Sequence, residues 1–147
     1  MQKMKKYLLA GLIFTAIIFA AKSAYSQDAN YYYFKANSCL TSGRMTEAIN
    51  YYNQAISYDE TFFEAYLGLS IAYKETGDYE KALKYVQYAI SLRPDYYQAY
   101  YNLGLVLEKQ NKRDEAIKAY EKFLKGVPAA SKFSDAKQRI LQLKEST

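Results

Sequence analysis

A pattern that recurs every 34 residues constrains the fold of this chain more than any other feature. Alanines, tyrosines and small residues keep this spacing through three consecutive copies: Ala48, Ala82 and Ala116; Tyr32, Tyr66 and Tyr100; Ala36, Ser70 and Gly104. A fixed period of this length is typical of stacked helix-turn-helix units, none of which can bury its apolar face alone. The sequence therefore predicts an all-α solenoid with units at residues 29–62, 63–96 and 97–130.

Each unit is predicted to contain two helices separated by a tight turn. In the second unit, residues 63–76 and 79–92 have the apolar spacing of helices. Gly77 accepts the left-handed conformation that ends a helix, and Asp78 favours the N-cap of the next one. Pro94 then stops the second helix, because proline lacks an N–H and disfavours helix in the preceding residue.

The third unit and the C-terminus vary this pattern. Asn111 replaces the glycine of the turn, and asparagine also tolerates the left-handed conformation. Pro128 closes the third unit. Residues 131–147 then have apolar and charged faces at helical spacing, which predicts a helix that caps the last unit. The alternative is a helix used for self-association or docking.

This arrangement resembles tetratricopeptide repeats. The small-residue, aromatic, alanine and terminal-proline positions of that family are matched by Gly104, Tyr100, Ala116 and Pro128, among others. The resemblance covers residues 29–130. It implies a right-handed α-solenoid of three helix-turn-helix repeats with a C-terminal capping helix, and it implies a role in protein–protein interaction.

The first 26 residues have the composition of an export signal. They begin with three lysines, continue through an uncharged, mostly apolar run at residues 7–21, and end in small side chains at Ala24 and Ser26. The run is shorter than the roughly 20 residues of a membrane-spanning helix. We expect a bacterial-type signal peptide, cleaved before Gln27, and a periplasmic or secreted protein. The alternative is a retained N-terminal membrane anchor.

Charge and composition argue against several classes of function. The chain carries a net charge of +5, but four lysines and no acid lie in the leader, so the remainder is close to neutral and predicts no nucleic-acid partner. The chain has no histidine and one cysteine, which leaves no metal cluster and no nucleophilic triad. We therefore expect no enzyme activity, no cofactor and no metal. Cys39 is expected to be a buried hydrophobe, the alternative being a reactive or intermolecularly paired thiol.

The resemblance also locates a binding groove, because in such stacks the first helix of each unit lines the concave side. The partner-binding residues predicted in this way are Tyr33, Asn37, Leu67, Ile71, Gln98, Tyr101, Asn102 and Leu105. Four of them, Leu67, Ile71, Tyr101 and Leu105, have no evident role in the core, so we expect an apolar and aromatic groove framed by polar residues.

The groove does not match the family members that clamp a terminal carboxylate with lysine, arginine and asparagine. Asn37 fits that set, but Tyr33, Gly68, Gln98 and Asn102 occupy the other positions. We therefore expect an extended or helical segment with apolar anchors. The predicted function is an exported, non-catalytic scaffold that binds a peptide or protein. The alternative is a self-associating structural protein or a membrane-tethered assembly protein of the cell envelope, since the 18 tyrosines suit interfaces.

Overall fold

The computed structural model describes residues 14–17, 27–127 and 132–145. Residues 14–17 are helical and exposed, and residues 27–41 form helix α1. The remaining helices are α2 (Met45–Tyr58), α3 (Phe63–Glu75), α4 (Tyr79–Leu92), α5 (Gln98–Lys109), α6 (Arg113–Gly126) and α7 (Phe133–Glu145). Within these described residues there is no strand, and no helix is both long and apolar enough to cross a membrane.

The helices pack as successive hairpins. Helix α1 shares a buried cluster with α2, while α3 packs on α4 and α5 packs on α6. The hairpins are joined by contacts of α2 with α3 and of α4 with α5, and α7 packs against α6. The first helices α3 and α5 also touch each other. The predicted α-solenoid of helix-turn-helix repeats is therefore confirmed.

Left-handed residues make the turn inside each hairpin. Gly43, Gly77 and Asn111 have φ angles of 74°, 84° and 57°, and they are spaced by the repeat period. Glycine adopts this conformation without steric cost and asparagine tolerates it, so the predicted turn chemistry is confirmed. The side chain of Asp78 accepts a hydrogen bond from the backbone N–H of Lys81 at 3.1 Å, as expected for an N-cap.

The small residues of the repeat lie in the interior. The six that define the 34-residue pattern on the paired helices are all buried: Ala36, Ser70, Gly104, Ala48, Ala82 and Ala116. The burial predicted for Cys39 is confirmed as well. Pro128 and the predicted cleavage site at Ala24 and Ser26 lie outside the described residues.

Two buried tyrosines fill the space beside glycines on neighbouring first helices. Tyr52 and Tyr120 stand at position 24 of the first and third units, counted from residues 29 and 97, and both are fully buried. A Cβ atom added to Gly68 would overlap the Tyr52 ring, and one added to Gly104 would overlap the Tyr120 ring. The glycines therefore allow the helices to approach closely around a large ring.

The second unit fills the corresponding space between its helices with different side chains. Position 24 there is Val86, which is also fully buried. The glycine and alanine that flank each tyrosine are replaced by larger residues in this unit. The pair of flanking residues is Ala36 and Gly68 for Tyr52, Ser70 and Asn102 for Val86, and Gly104 and Ala136 for Tyr120. A smaller central side chain is thus matched by larger flanking ones, as a close-packed interior requires.

We expect Gly68→Ala to destabilise the protein by about 1–3 kcal/mol, because the new methyl group must displace the Tyr52 ring. In a Tyr52→Val background, which copies the second unit, the same substitution should cost less than about 0.5 kcal/mol. Urea unfolding of the four proteins in this cycle measures both costs. Equal costs in the two backgrounds would contradict the packing described here.

Candidate functional site

At its N-terminal end, the predicted groove consists of side chains that pack on each other. The Tyr33 ring lies 5.0 Å from that of Phe62 and 6.1 Å from that of Tyr52, between ring centres. The Tyr52 hydroxyl donates a hydrogen bond of 2.6 Å to the side-chain oxygen of Asn37. Burial raises the pKa of the Tyr52 phenol well above its ordinary value, so the hydroxyl remains a donor. The Asn37 amide is thereby oriented with its oxygen engaged, and its NH2 group is the part that can donate to a ligand.

In the middle of the groove, the two predicted residues of α3 have different environments. Leu67 is only 8% exposed and packs with Val86 and Ala99 in a buried cluster. Ile71 is half-buried and belongs to none of the three buried clusters found among the described residues. Ile71 is therefore the apolar groove side chain on α3 that remains available for contact.

At the C-terminal end, Tyr101 belongs to the core. It is 6% exposed, and its ring lies 5.8 Å from that of Tyr120 and 5.3 Å from that of Phe123. Its hydroxyl donates a hydrogen bond of 2.6 Å to Asp135 on α7. Leu105 packs against the same cluster. These contacts leave Tyr101 with little surface for a partner.

A charged network surrounds Tyr101. The Arg139 guanidinium donates to Glu108 and to Asp135, both at 2.8 Å, and the Lys132 ammonium lies 4.7 Å from the centre of the Tyr101 ring. The hydrogen bond from Tyr101, followed by the one from Arg139, lowers the pKa of Asp135. Burial, followed by the bond to Asp135, raises the pKa of Tyr101. This end of the groove therefore carries fixed ions of both signs.

Helix α7 extends the groove, because its charged residues continue the 34-residue spacing. Lys132, just before α7, and two charged residues within it follow predicted groove residues of α5 at this interval: Lys132 after Gln98, Asp135 after Tyr101 and Arg139 after Leu105. Helix α7 therefore occupies the position that the first helix of a fourth repeat would have. The sequence interpretation assigned these residues to the polar face of a cap. Extending the repeat period beyond residue 130 would have placed them beside the groove.

The predicted groove residues lie on the first helices, but they are less exposed than expected. Leu67, Tyr101 and Asn102 are buried, and the other five are half-buried. The expectation that Leu67, Tyr101 and Leu105 have no packing role is wrong. Leu67 packs with Val86 and Ala99, and Tyr101 and Leu105 belong to the cluster around Tyr120 and Phe123. The surface left for contact is narrower than the sequence indicated, with Ile71 near its middle and the amide of Asn37 towards one end.

A second concavity lies on the other side of the second hairpin. Its volume is about 480 Å³, and it is lined by Tyr66, Lys84, Tyr85, Gln87, Tyr88 and Ser91. The Tyr66 ring stacks on Tyr85 at 6.3 Å and meets Tyr88 edge-on at 4.5 Å. Burial raises the pKa of Tyr66 to about 12. Since these rings contact one another, packing accounts for much of their surface.

Two protein-family models together match most of the repeat region. A family model described as tetratricopeptide repeat matches residues 67–135, and a second, described as TPR repeat, matches residues 36–77. The crystal structure of MamA superposes with a TM-score of 0.74 at 30% sequence identity, over 87% of this chain and 75% of that one. The chain belongs to the tetratricopeptide repeat family. No curated protein matches it in sequence.

Other tetratricopeptide repeat structures share the fold at lower identity. The first TPR of Spaghetti (RPAP3), bound to the HSP90 peptide SRMEEVD, has a TM-score of 0.77 at 24% identity and covers 82% of this chain and 94% of that one. The TPR2B domain of yeast Sti1, in a complex with pHsp70, has a TM-score of 0.78 at 14% identity, over 83% and 100% of the two chains. These likenesses establish the arrangement of the helices.

We expect the Tyr101–Asp135–Arg139 contact to stabilise the protein in a pH-dependent way. The pKa of Asp135 is lower in the folded protein than its ordinary 3.8, so its contribution is present above pH 3.8 and is lost as the pH falls through the lowered value. Asp135→Asn should cost up to about 1 kcal/mol at pH 7, since the carboxylate is partly exposed. The difference from the wild type should vanish at low pH.

Urea unfolding at pH 7 and at low pH tests this expectation. Glu47→Gln is the matched control, because Glu47 pairs with Arg44 at 2.9 Å on an exposed surface. That substitution should change stability by less than about 0.5 kcal/mol at neutral pH. A cost for Asp135→Asn that is the same at both pH values would show that the ion contributes nothing.

Proposed function

We propose that this tetratricopeptide repeat protein is a non-catalytic scaffold that binds a protein segment in the groove formed by α1, α3 and α5. The half-buried Ile71, which lies outside the buried clusters, carries this proposal. A partly exposed apolar side chain on the lining of a groove is the kind of anchor that interaction surfaces use. No group of three or more candidate metal ligands occurs in the described part of the chain.

The chemistry of the groove favours a segment with a mixed sequence. An apolar side chain of the ligand would pack on Ile71, and the NH2 group of Asn37 would donate to a carbonyl of its backbone. Beyond Leu105 the groove reaches Lys132 and Arg139, whose charges are balanced by Glu108 and Asp135. A ligand that carries one apolar anchor and polar residues towards the α7 end fits this order.

The groove differs from a site for acidic C-terminal peptides. Two RPAP3 structures hold the peptides SRMEEVD and SGPTIEEVD, which end in acidic residues. In this chain Tyr33, Gly68, Gln98 and Asn102 occupy the positions at which a carboxylate clamp has its other lysine, arginine and asparagine residues, and none of the four is a cation. Without those cations a terminal carboxylate gains no ion pair there. We therefore propose that the ligand is an internal segment.

Peptide selection tests this proposal. We expect peptides selected from a random library to lose at least about tenfold in affinity for the Ile71→Glu variant, because the charge is placed on the apolar anchor. The melting temperature should stay nearly unchanged, since Ile71 lies outside the buried clusters. The matched control is Tyr88→Glu, which alters an exposed aromatic residue of α4 and should bind as the wild type does. The peptide SRMEEVD should not compete.

Two results would contradict the groove. If Tyr88→Glu abolishes binding while Ile71→Glu does not, the cavity lined by Tyr66, Tyr85 and Tyr88 is the site. If no peptide is selected at all, the scaffold proposal is wrong. Tyr101→Ala is unsuitable as a probe, because removing a buried ring costs about 3–5 kcal/mol and unfolding would obscure any effect on binding.

We also propose that the protein is exported and that its leader is removed. The leader composition supports this, and so does the exposure of Phe14 and Ile17, which lie in a helical turn outside the buried clusters. Intact mass of the protein from cell-envelope fractions should show a chain that begins at Gln27. A full-length species that sediments with membranes would favour the membrane-tethered alternative.

A further inference from the structure

The outer face of α1 is bare where the other first helices are covered. In α3 and α5 the corresponding face is buried beneath the preceding second helix. Repeat positions 3 and 6 show the difference. They are buried as Ala65 and Gly68 in α3 and as Ala99 and Asn102 in α5, but in α1 they are Tyr31 and Phe34, with exposures of 53% and 66%.

These two aromatic residues prevent another repeat from stacking on α1 in the usual way. Helix α2 approaches α3 closely because Gly68 leaves room for the Tyr52 ring, and even one added carbon would overlap that ring. Phe34 occupies the repeat position of Gly68 and Asn102, and a phenylalanine is larger than either, so no second helix fits there with the geometry of α2 on α3 or of α4 on α5. At the opposite end of the solenoid the exposed side chains of α7 are polar apart from Leu141, so that end offers Phe34 little apolar surface.

The bare face is complementary to itself. Asp28, Tyr31, Lys35 and Ser38 follow one another at helical spacing along a single exposed stripe of α1. If two copies of α1 pair antiparallel about an axis between residues 31 and 32, Asp28 of one copy meets Lys35 of the other. The two Tyr31 rings then lie beside the axis. A two-fold contact requires this kind of reciprocal match.

We propose that α1 is a homodimer interface, in which this face packs antiparallel against the same face of a second copy. Lys35 already lies 4.8 Å from the Tyr31 ring and 5.3 Å from the Tyr51 ring, so its ammonium is held beside the stripe. The pairing covers Tyr31 and Phe34 and joins Asp28 to Lys35 twice. One helix pair is a small interface, so the dimer dissociates at micromolar concentrations.

The dimer is independent of the proposed peptide site. Ile71 lies on α3 and is not part of the α1 face, so Ile71→Glu leaves the dimer intact whether or not it alters peptide binding. The closed two-fold contact also limits assembly to two copies, because it uses the same face of both partners.

Sedimentation of the chain with its native N-terminus, over a range of micromolar concentrations, tests the proposal. The wild type should pass from monomer to dimer, and Phe34→Glu should remain a monomer. Asp28→Lys and Lys35→Asp should each weaken the dimer by at least about tenfold, since each places like charges together. The double variant Asp28→Lys/Lys35→Asp should return to within about threefold of the wild type, because it restores both pairs.

The variant Tyr88→Lys is the matched control, since it alters an exposed tyrosine on α4 and should dimerise as the wild type does. Circular dichroism should show all variants folded, because every substituted residue is exposed. A wild type that stays monomeric throughout, or a dimer that survives Phe34→Glu, overturns the proposal. Failure of the double charge exchange to restore the dimer rejects the antiparallel pairing.

Discussion

The packing of a tyrosine ring beside a glycine determines how closely the helices of this solenoid approach. Tyr52 fills the space that a side chain at Gly68 would need, and Tyr120 does the same at Gly104. In the second unit, Val86 is smaller and its flanking residues are larger. The three units therefore keep one spacing with two sets of side chains, because the total volume between the helices is conserved.

This packing also shapes the groove. The ring of Tyr52 is fixed in the interior, and its hydroxyl orients the Asn37 amide. The ring of Tyr120 supports Tyr101, whose hydroxyl binds Asp135 on α7. The proposed groove consequently has a neutral polar end on α1, an apolar middle at Ile71 and a charged end on α7. Because the three parts differ, a ligand would bind along them in one orientation.

The two ends of the solenoid are finished differently. Helix α7 continues the repeat spacing, and its exposed side chains are polar apart from Leu141. Helix α1 exposes Tyr31 and Phe34 on the face that in α3 and α5 is covered by the preceding second helix. A repeat protein needs a distinct solution for each end, because terminal units lack a neighbour. Here the C-terminal end suits water, and the N-terminal end suits a second copy.

The sequence by itself determined the repeat, the helix pairs, the left-handed turns at Gly43, Gly77 and Asn111, and the buried small residues. These features follow from local backbone preferences and from spacing along one chain. The sequence also placed the groove residues on the first helices. Tertiary structure decided which of them remain accessible, because exposure depends on the neighbouring helix. Tyr101 is buried because the rings of Tyr120 and Phe123 and the Asp135 carboxylate pack around it, whereas Ile71 lies outside the buried clusters and remains partly exposed.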